Sequence, residues 1–153
     1  QGNSFMSGPA GSGKSHLSMA ILKSYLENGE KTALFVSYSH VVRLIKDSFN
    51  NRDSVYTQNN IMSLLTNVDL LVMDDIGSEN NSDFSEELLT DVLDGRISTI
   101  ITTNLSSEEL RGNASKKGRY NQRTASRMFR GIGGKAFNFK GIKDKRVLPF
   151  EEE

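Results

Sequence analysis

Eight residues constrain this chain more than any others: Gly8-Pro9-Ala10-Gly11-Ser12-Gly13-Lys14-Ser15. They satisfy G-x-x-x-x-G-K-[ST] at every fixed position, and both flanks suit it. Asn3-Ser4-Phe5-Met6-Ser7 before it reads as a short strand, and His16 to Leu26 after it carries apolar residues at helical spacing. Glycines 8, 11 and 13 permit backbone angles that a side chain forbids, so successive N–H groups point inward at a β-phosphate. Lys14 is placed to reach the β- and γ-phosphates, Ser15 offers its hydroxyl to Mg²⁺, and the helix that follows adds the positive end of its dipole. The expected nucleotide-binding set is Gly8, Pro9, Ala10, Gly11, Ser12, Gly13, Lys14, Ser15 and His16.

A second anchor lies at Val68 to Asp75, where Leu70-Leu71-Val72-Met73 runs into Asp74-Asp75. An apolar run ending in two carboxylates describes a buried parallel strand whose tip emerges at a ligand crevice, the Walker B pattern. Behind an intact glycine loop, Asp74 is expected to hold the Mg²⁺ shell and Asp75 to orient or deprotonate an attacking water. Ser98-Thr99-Ile100-Ile101-Thr102-Thr103-Asn104 is a further buried strand with a polar tip. Two readings fit Asn104: a hydrogen bond to the γ-phosphate or the water, or a cap on the helix that starts at Ser106-Ser107-Glu108-Glu109.

The remaining segments complete an alternation of strands and helices. Thr32 to Ser37 reads as a strand, Val41 to Phe49 as a helix with Arg43 and Lys46 on its polar side, and Asn59 to Leu65 as a short helix. A helix is expected from about Phe84 to Asp94, and another from Tyr120 to Arg130 that sets Arg123, Arg127 and Arg130 on one stripe. Ala136 to Phe139 alternates like a strand, Lys143-Asp144-Lys145-Arg146 is a charged turn, and Glu151 to Glu153 reads as a frayed tail. This order predicts an α/β fold of the P-loop NTPase kind, with one crevice at the strand C-termini collecting the glycine loop, Asp74, Asp75 and Asn104.

Composition narrows the setting. A chain of 153 residues can bury the core of a single domain without staples, and with no cysteine there is neither a disulfide framework nor a thiolate metal site. No apolar run approaches the roughly 18 residues of a membrane helix, and no signal-peptide pattern opens the chain, so a cytoplasmic location without membrane contact is expected. Gln1 precedes the first strand almost directly, which suggests an excised domain whose N-terminal partner-binding region is absent. The zero net charge is unevenly laid out: residues 69 to 94 hold nine acids and no Lys or Arg, whereas 111 to 147 hold twelve Lys or Arg and one acid, Asp144. Solvated faces of opposite sign explain this, as does a basic side meeting an acidic side of the next copy, or nucleic acid.

The series GPAGSGKSHL, YSHVVRLIKDSF, LLVMDDIG, IITTN and QRTASRMFRG resembles the AAA+ domain of bacterial and phage DnaC/DnaI-type replicative helicase loaders, with the IstB-like transposition ATPases as close relatives. The resemblance spans nearly the whole chain. It implies a parallel five-stranded sheet of order 5-1-4-3-2, ATP or ADP with Mg²⁺ in the crevice, and Asn104 in the sensor-1 role. Arg127 matches the arginine finger given to a neighbouring subunit's ATP, so head-to-tail self-association is implied. The partners implied are single-stranded DNA and a hexameric replicative helicase, the latter reached through the absent N-terminal region. The helix from about Ser39 to Phe49 corresponds to one that lines the DNA path, and Phe49, Ser82 and Phe84 match DNA contacts, joined by Arg43 and Lys46; core packing is the other reading of the two phenylalanines.

Three departures stand out. Asp75 occupies a position where most AAA+ ATPases carry Glu. Only about 20 residues follow the arginine helix, too few for a C-terminal helical lid, which leaves Lys143, Lys145 and Arg146 as candidates for the sensor-2 role. Arg96 meets the strand at Ser98 with almost no connection, so either the turn is tight or residues have been lost there. The expected function is ATP hydrolysis in a helicase loader; an IstB-type transposition helper acting on duplex DNA, and a non-hydrolysing ATP-switched interaction module, are the alternatives.

Overall fold

The computed structural model describes residues 2–144 and 146. The elements are β1 (Ser4–Ser7), α1 (Lys14–Glu27), β2 (Ala33–Ser37), α2 (Tyr38–Ser48), α3 (Gln58–Asn67), β3 (Leu70–Ile76), α4 (Asp83–Asp94), β4 (Ile100–Thr103), α5 (Ser107–Arg111), α6 (Gln122–Met128) and β5 (Ala136–Asn138). The five strands form one sheet of order β2-β3-β4-β1-β5, every pair parallel. This is the expected 5-1-4-3-2 order read from the other edge. No helix follows α6 among the described residues. The sequence candidate Lys145 and the tail Glu151 to Glu153 lie outside the described residues.

Alternation along the central strands builds the two sides of the core. Phe5, Leu71, Met73 and Ile101 face a large cluster with Val41 and Ile45 of α2, Leu65 of α3, Leu88 and Leu93 of α4 and Met128 of α6. Their neighbours Met6, Val72 and Ile100 face the other way and meet Leu22 of α1.

Some boundaries differ from the sequence reading for identifiable reasons. The helix expected from Val41 begins directly after β2 at Tyr38, because Tyr38 is fully buried and its hydroxyl donates to the Ser85 carbonyl. The helix expected over Asn59 to Leu65 starts one residue earlier, at Gln58, capped by Thr57, whose side chain accepts from Asn60 N–H, and runs on to Asn67. The Arg stripe is shorter than expected: α6 stops at Met128, and Arg130 beyond it donates to the carbonyls of Leu93 in the last turn of α4 and Arg96 in the turn that follows. Asn104 does not cap α5; Ser106 does, in a reciprocal capping box with Glu109.

The short passage from α4 to β4 is a tight turn organised by Arg96. Its guanidinium is buried and donates to the carbonyls of Leu65 (2.8 Å), Val68 (2.7 Å), Asp69 (3.2 Å) and Ser98 (3.3 Å), and to the Thr99 hydroxyl (3.2 Å). One cation thereby satisfies the carbonyls at the end of α3 and before β3, groups that burial otherwise leaves unpaired. Replacing Arg96 by Ala is expected to cost about 2–4 kcal/mol of unfolding free energy, because those carbonyls lose their donors together. Urea unfolding checks this; a midpoint equal to that of the unsubstituted protein shows that the turn does not depend on Arg96.

Candidate nucleotide site

The tips of β1, β3 and β4 end at one open cleft of about 520 Å³, lined by Ala10, Gly11, Gly13, Lys14, Ser15, His16, Asp74, Asp75, Thr102, Asn104 and Arg146. Two other clefts of similar size lie beside α5, one between it and α6 and one next to the turns that follow β3 and β4. The strand-tip cleft joins the glycine loop to the Asp74 and Asp75 carboxylates.

The glycine loop has the backbone that its sequence demands. Gly8, Gly11 and Gly13 have φ of 146°, 71° and 98°. Gly8 is doubly restricted, since a Cβ there would also meet the backbone of Phe139 at 3.0 Å. Lys14 opens α1 and is buried, its ammonium folded back onto the Gly8 and Pro9 carbonyls (2.8 Å each), with Asn104 Oδ1 at 2.9 Å. Burial lowers the Lys14 pKa, against the opposing pull of Asp75 and Asp74. Added phosphate charge would raise it again.

Opposite the lysine, the two acids are set by an irregularity in the sheet. The β3–β4 register runs Met73 to Ile101 and then Ile76 to Thr103, so β3 carries one extra residue. Asp75 takes it up with φ 58°, alone among the non-glycine described residues in having positive φ. Its N–H turns to the Thr102 hydroxyl (2.9 Å). That same hydroxyl donates to Asp74 Oδ1 (2.6 Å), which also receives Ser15 Oγ at 2.7 Å. Asn104 Nδ2 donates to Asp75 Oδ1 at 3.2 Å, so Asn104 touches both Lys14 and Asp75. The strand thus continues past the expected end at Asp75 to Ile76. Of the basic C-terminal candidates, Arg146 lines the cleft, bound to Asp144 (2.8 and 3.0 Å), whose carboxyl it holds down at about 2; Lys143 is exposed and lines no part of it.

The other sequence candidates form two further groups. Phe49 caps the C-terminal end of α2 with 61% of its surface exposed, and its ring meets Phe84 edge-on at 5.6 Å. Lys46 Nζ lies 5.8 Å from the Phe84 ring, and Arg43, one turn earlier, bonds His40 at 2.7 Å. Phe84 is half-buried against the core, so the core reading applies to it and not to Phe49. Ser82 is the N-cap of α4, its hydroxyl accepting from Ser85 N–H (3.1 Å). Arg127 does not line its own chain's cleft; it pairs with Asp94 at the last turn of α4. Since α4 runs back from the strand tips, its 12 residues put that pair about 18 Å away from its N-terminal end.

Residues 1–114 match the family described as IstB-like ATP binding protein. The chain belongs to the IstB-like ATP-binding family. Within it, the chain is 33% identical over 108 residues to the replicative helicase loader DnaC of Escherichia coli K12, covering 68% of this chain and 43% of DnaC. The chain therefore spans less than half the length of the curated relatives it matches. Its fold superposes on a crystal structure of the DnaC helicase loader with a TM-score of 0.68 at 27% identity, over 92% of this chain and 78% of that one. A crystal structure of DnaI shares the fold, with a TM-score of 0.69 at 20% identity, over 92% and 73% of the two chains. This IstB-like domain is accordingly an ATP-binding AAA+ domain with the five-stranded sheet of that class.

Three polar residues of this IstB-like domain escaped the sequence reading. Thr102 looked like one more β-branched strand residue, yet its hydroxyl joins Asp74 to the Asp75 backbone. Glu79 is a buried carboxylate that accepts from Gly77 N–H (2.9 Å) and the Tyr120 hydroxyl, with Arg119 at 3.8 Å, tying the turn after β3 to the segment before α6. Asn3 is buried at the head of β1, and its amide nitrogen donates to the carbonyls of Arg127 and Met128. Thr102 had a signal: a Thr on the strand beside an Asp-Asp tip is placed to bond it. Thr102→Val keeps the shape and removes the hydroxyl, so Mg²⁺-dependent nucleotide affinity is expected to fall about tenfold with little change in metal-free affinity. Titration of a fluorescent nucleotide with and without Mg²⁺ reads this; equal affinities in both proteins would exclude the role.

Proposed function

We propose that this domain is the ATPase motor of a helicase loader, hydrolysing ATP between subunits assembled head to tail and holding single-stranded DNA. The observation that carries the reading is the chain Lys14–Asn104–Asp75, which joins the cation of the glycine loop to the candidate water-orienting carboxylate through one amide. The identity with DnaC favours the loader over the transposition helper.

In this reading Lys14 exchanges the Gly8 and Pro9 carbonyls for the phosphates, and the loop N–H groups take the β-phosphate. Ser15 and Asp74, already bonded to each other, would hold Mg²⁺, whose charge neutralises the phosphate oxygens. That donor set suits an ion that binds through one or two protein oxygens plus phosphate; among the described residues no cluster of three or more His, Asp or Glu offers a self-sufficient cage. Asp75 has one oxygen bonded by Asn104, and the other, with no hydrogen-bond partner among the described residues, is available to orient a water. The departure from Glu follows from the backbone: Asp tolerates the left-handed conformation of the bulge better than longer side chains do.

Arg127 supplies the cation in trans. The distance along α4 that separates it from its own strand tips supports this, as does the planar fork of a guanidinium, which matches phosphoryl oxygens. Lys14→Ala is expected to lose ATP binding, Asp75→Asn to bind ATP without turnover, and Arg127→Ala to bind ATP while losing roughly a hundredfold or more in assembly-dependent turnover. Mixing Asp75→Asn with Arg127→Ala restores turnover if sites are shared between subunits; phosphate release that stays at background at every ratio rules out a finger acting in trans.

The DNA surface is the Phe49–Phe84 pair with Lys46 and Arg43 beside it: an exposed ring for base stacking and cations for phosphate. Ser82 serves it as the cap that fixes the start of α4. Phe49→Ala is expected to weaken single-strand affinity by about 1–3 kcal/mol at constant salt without altering ATP binding. Fluorescence anisotropy with single- and double-stranded oligonucleotides checks it. Preference for duplex would instead favour the transposition helper.

A further inference from the structure

The arginine helix is bolted to α4 along a polar stripe. Glu86, Thr90 and Asp94 recur every four residues and so share one side of α4. Glu86 accepts from the Asn121 N–H and the Thr124 hydroxyl (3.0 Å), and Thr90 shares a buried 2.8 Å hydrogen bond with Thr124. At the last step of the stripe, Asp94 Oδ1 accepts from Arg127 Nε, and Asp94 Oδ2 accepts from Arg123 Nη2 at 3.4 Å. Behind α6, the buried Asn3 amide holds the Arg127 carbonyl at 2.9 Å and the Met128 carbonyl at 3.0 Å. The backbone that carries Arg127 is therefore fixed at both ends.

What remains is the direction of the side chain. A guanidinium offers five N–H donors on two edges, and Asp94 takes the donor nearest the stem. The two terminal nitrogens of Arg127 have no hydrogen-bond partner among the described residues, although the side chain is only about one-third exposed. Those two nitrogens form the fork that grips phosphoryl oxygens.

We propose that Asp94 is a positioning residue for the arginine finger, holding the Nε edge of Arg127 so that its terminal fork faces the neighbouring subunit's nucleotide. Arg123 lies against the second oxygen at 3.4 Å. An ion pair this exposed adds little to folding, so its effect falls on orientation. The inference rests on the reading that Arg127 acts in trans.

Subunit mixing separates the two ideas. Lys14→Ala subunits cannot bind ATP but can donate a finger; Arg127→Ala subunits bind ATP but have none to give. The mixture is expected to recover turnover that neither component shows. Adding Asp94→Ala to the Lys14→Ala donor should cut the recovered rate roughly ten- to a hundredfold, with kcat falling and KM for ATP held. Adding it to the Arg127→Ala acceptor, whose finger is already gone, should leave the recovered rate as it was. Asp94→Asn in the donor, whose amide oxygen still accepts from Nε, should keep more of the rate than Asp94→Ala and serves if the Ala variant folds poorly. A loss of equal size in donor and acceptor, or none in the donor, overturns the positioning role while leaving the finger intact. No recovery in the parent mixture overturns the finger in trans, and the role of Asp94 with it.

Discussion

One hydroxyl organises the chemistry of this domain. Thr102 Oγ1 accepts the Asp75 N–H and donates to Asp74, so it closes the gap that the extra residue of β3 opens in the ladder. Without a partner there, the bulge would leave an N–H unpaired between two strands, a cost of about 1–3 kcal/mol. With it, successive residues of one strand turn their carboxylates to different tasks. Asp74 goes to Ser15 at the mouth of the glycine loop, and Asp75 goes to Asn104. Ser15 and Asn104, and through Asn104 the Lys14 ammonium, are placed relative to those two acids.

The fold was readable because its strands are nearly uniform in character. Leu70 to Met73 and Ile100-Ile101 are apolar on both sides, which only a doubly covered parallel sheet accommodates, and the glycine loop fixed which end of that sheet holds the ligand. The lysine, the serine and both acids were legible for the same reason: each belongs to a spacing with a mechanism behind it. Thr102, Glu79 and Asn3 were not. Their side chains bond groups 27 or more residues away, apart from the local tie between Glu79 and Gly77, and no periodicity encodes such pairings.

The apparent defects of the sequence turn out to be filled by specific side chains. The abrupt join between α4 and β4 is occupied by Arg96, and the Asp in place of Glu sits in a backbone conformation that suits it. Arg130 looked like the third member of a stripe, but the helix ends before it and its guanidinium is spent on carbonyls at and just beyond the close of α4. An arginine stripe predicted from spacing alone overestimates how many of its members are available to a partner, because carbonyls left at helix ends compete for the same donors.

Helix α4 reaches both of the surfaces proposed above, the one for DNA and the one for a neighbouring subunit. Its first turn carries the ring of Phe84 beside Phe49, and its last turn carries the carboxylate that grips Arg127. Twelve residues of hydrogen-bonded helix are stiff over that length, so the element behaves as a lever rather than a cable. A tilt of only about 5° at the aromatic end displaces the opposite end by about 1.5 Å over the roughly 18 Å between them. A displacement of that size is half the reach of a hydrogen bond, which makes the rod long enough to convert a small shift at one surface into engagement or release at the other.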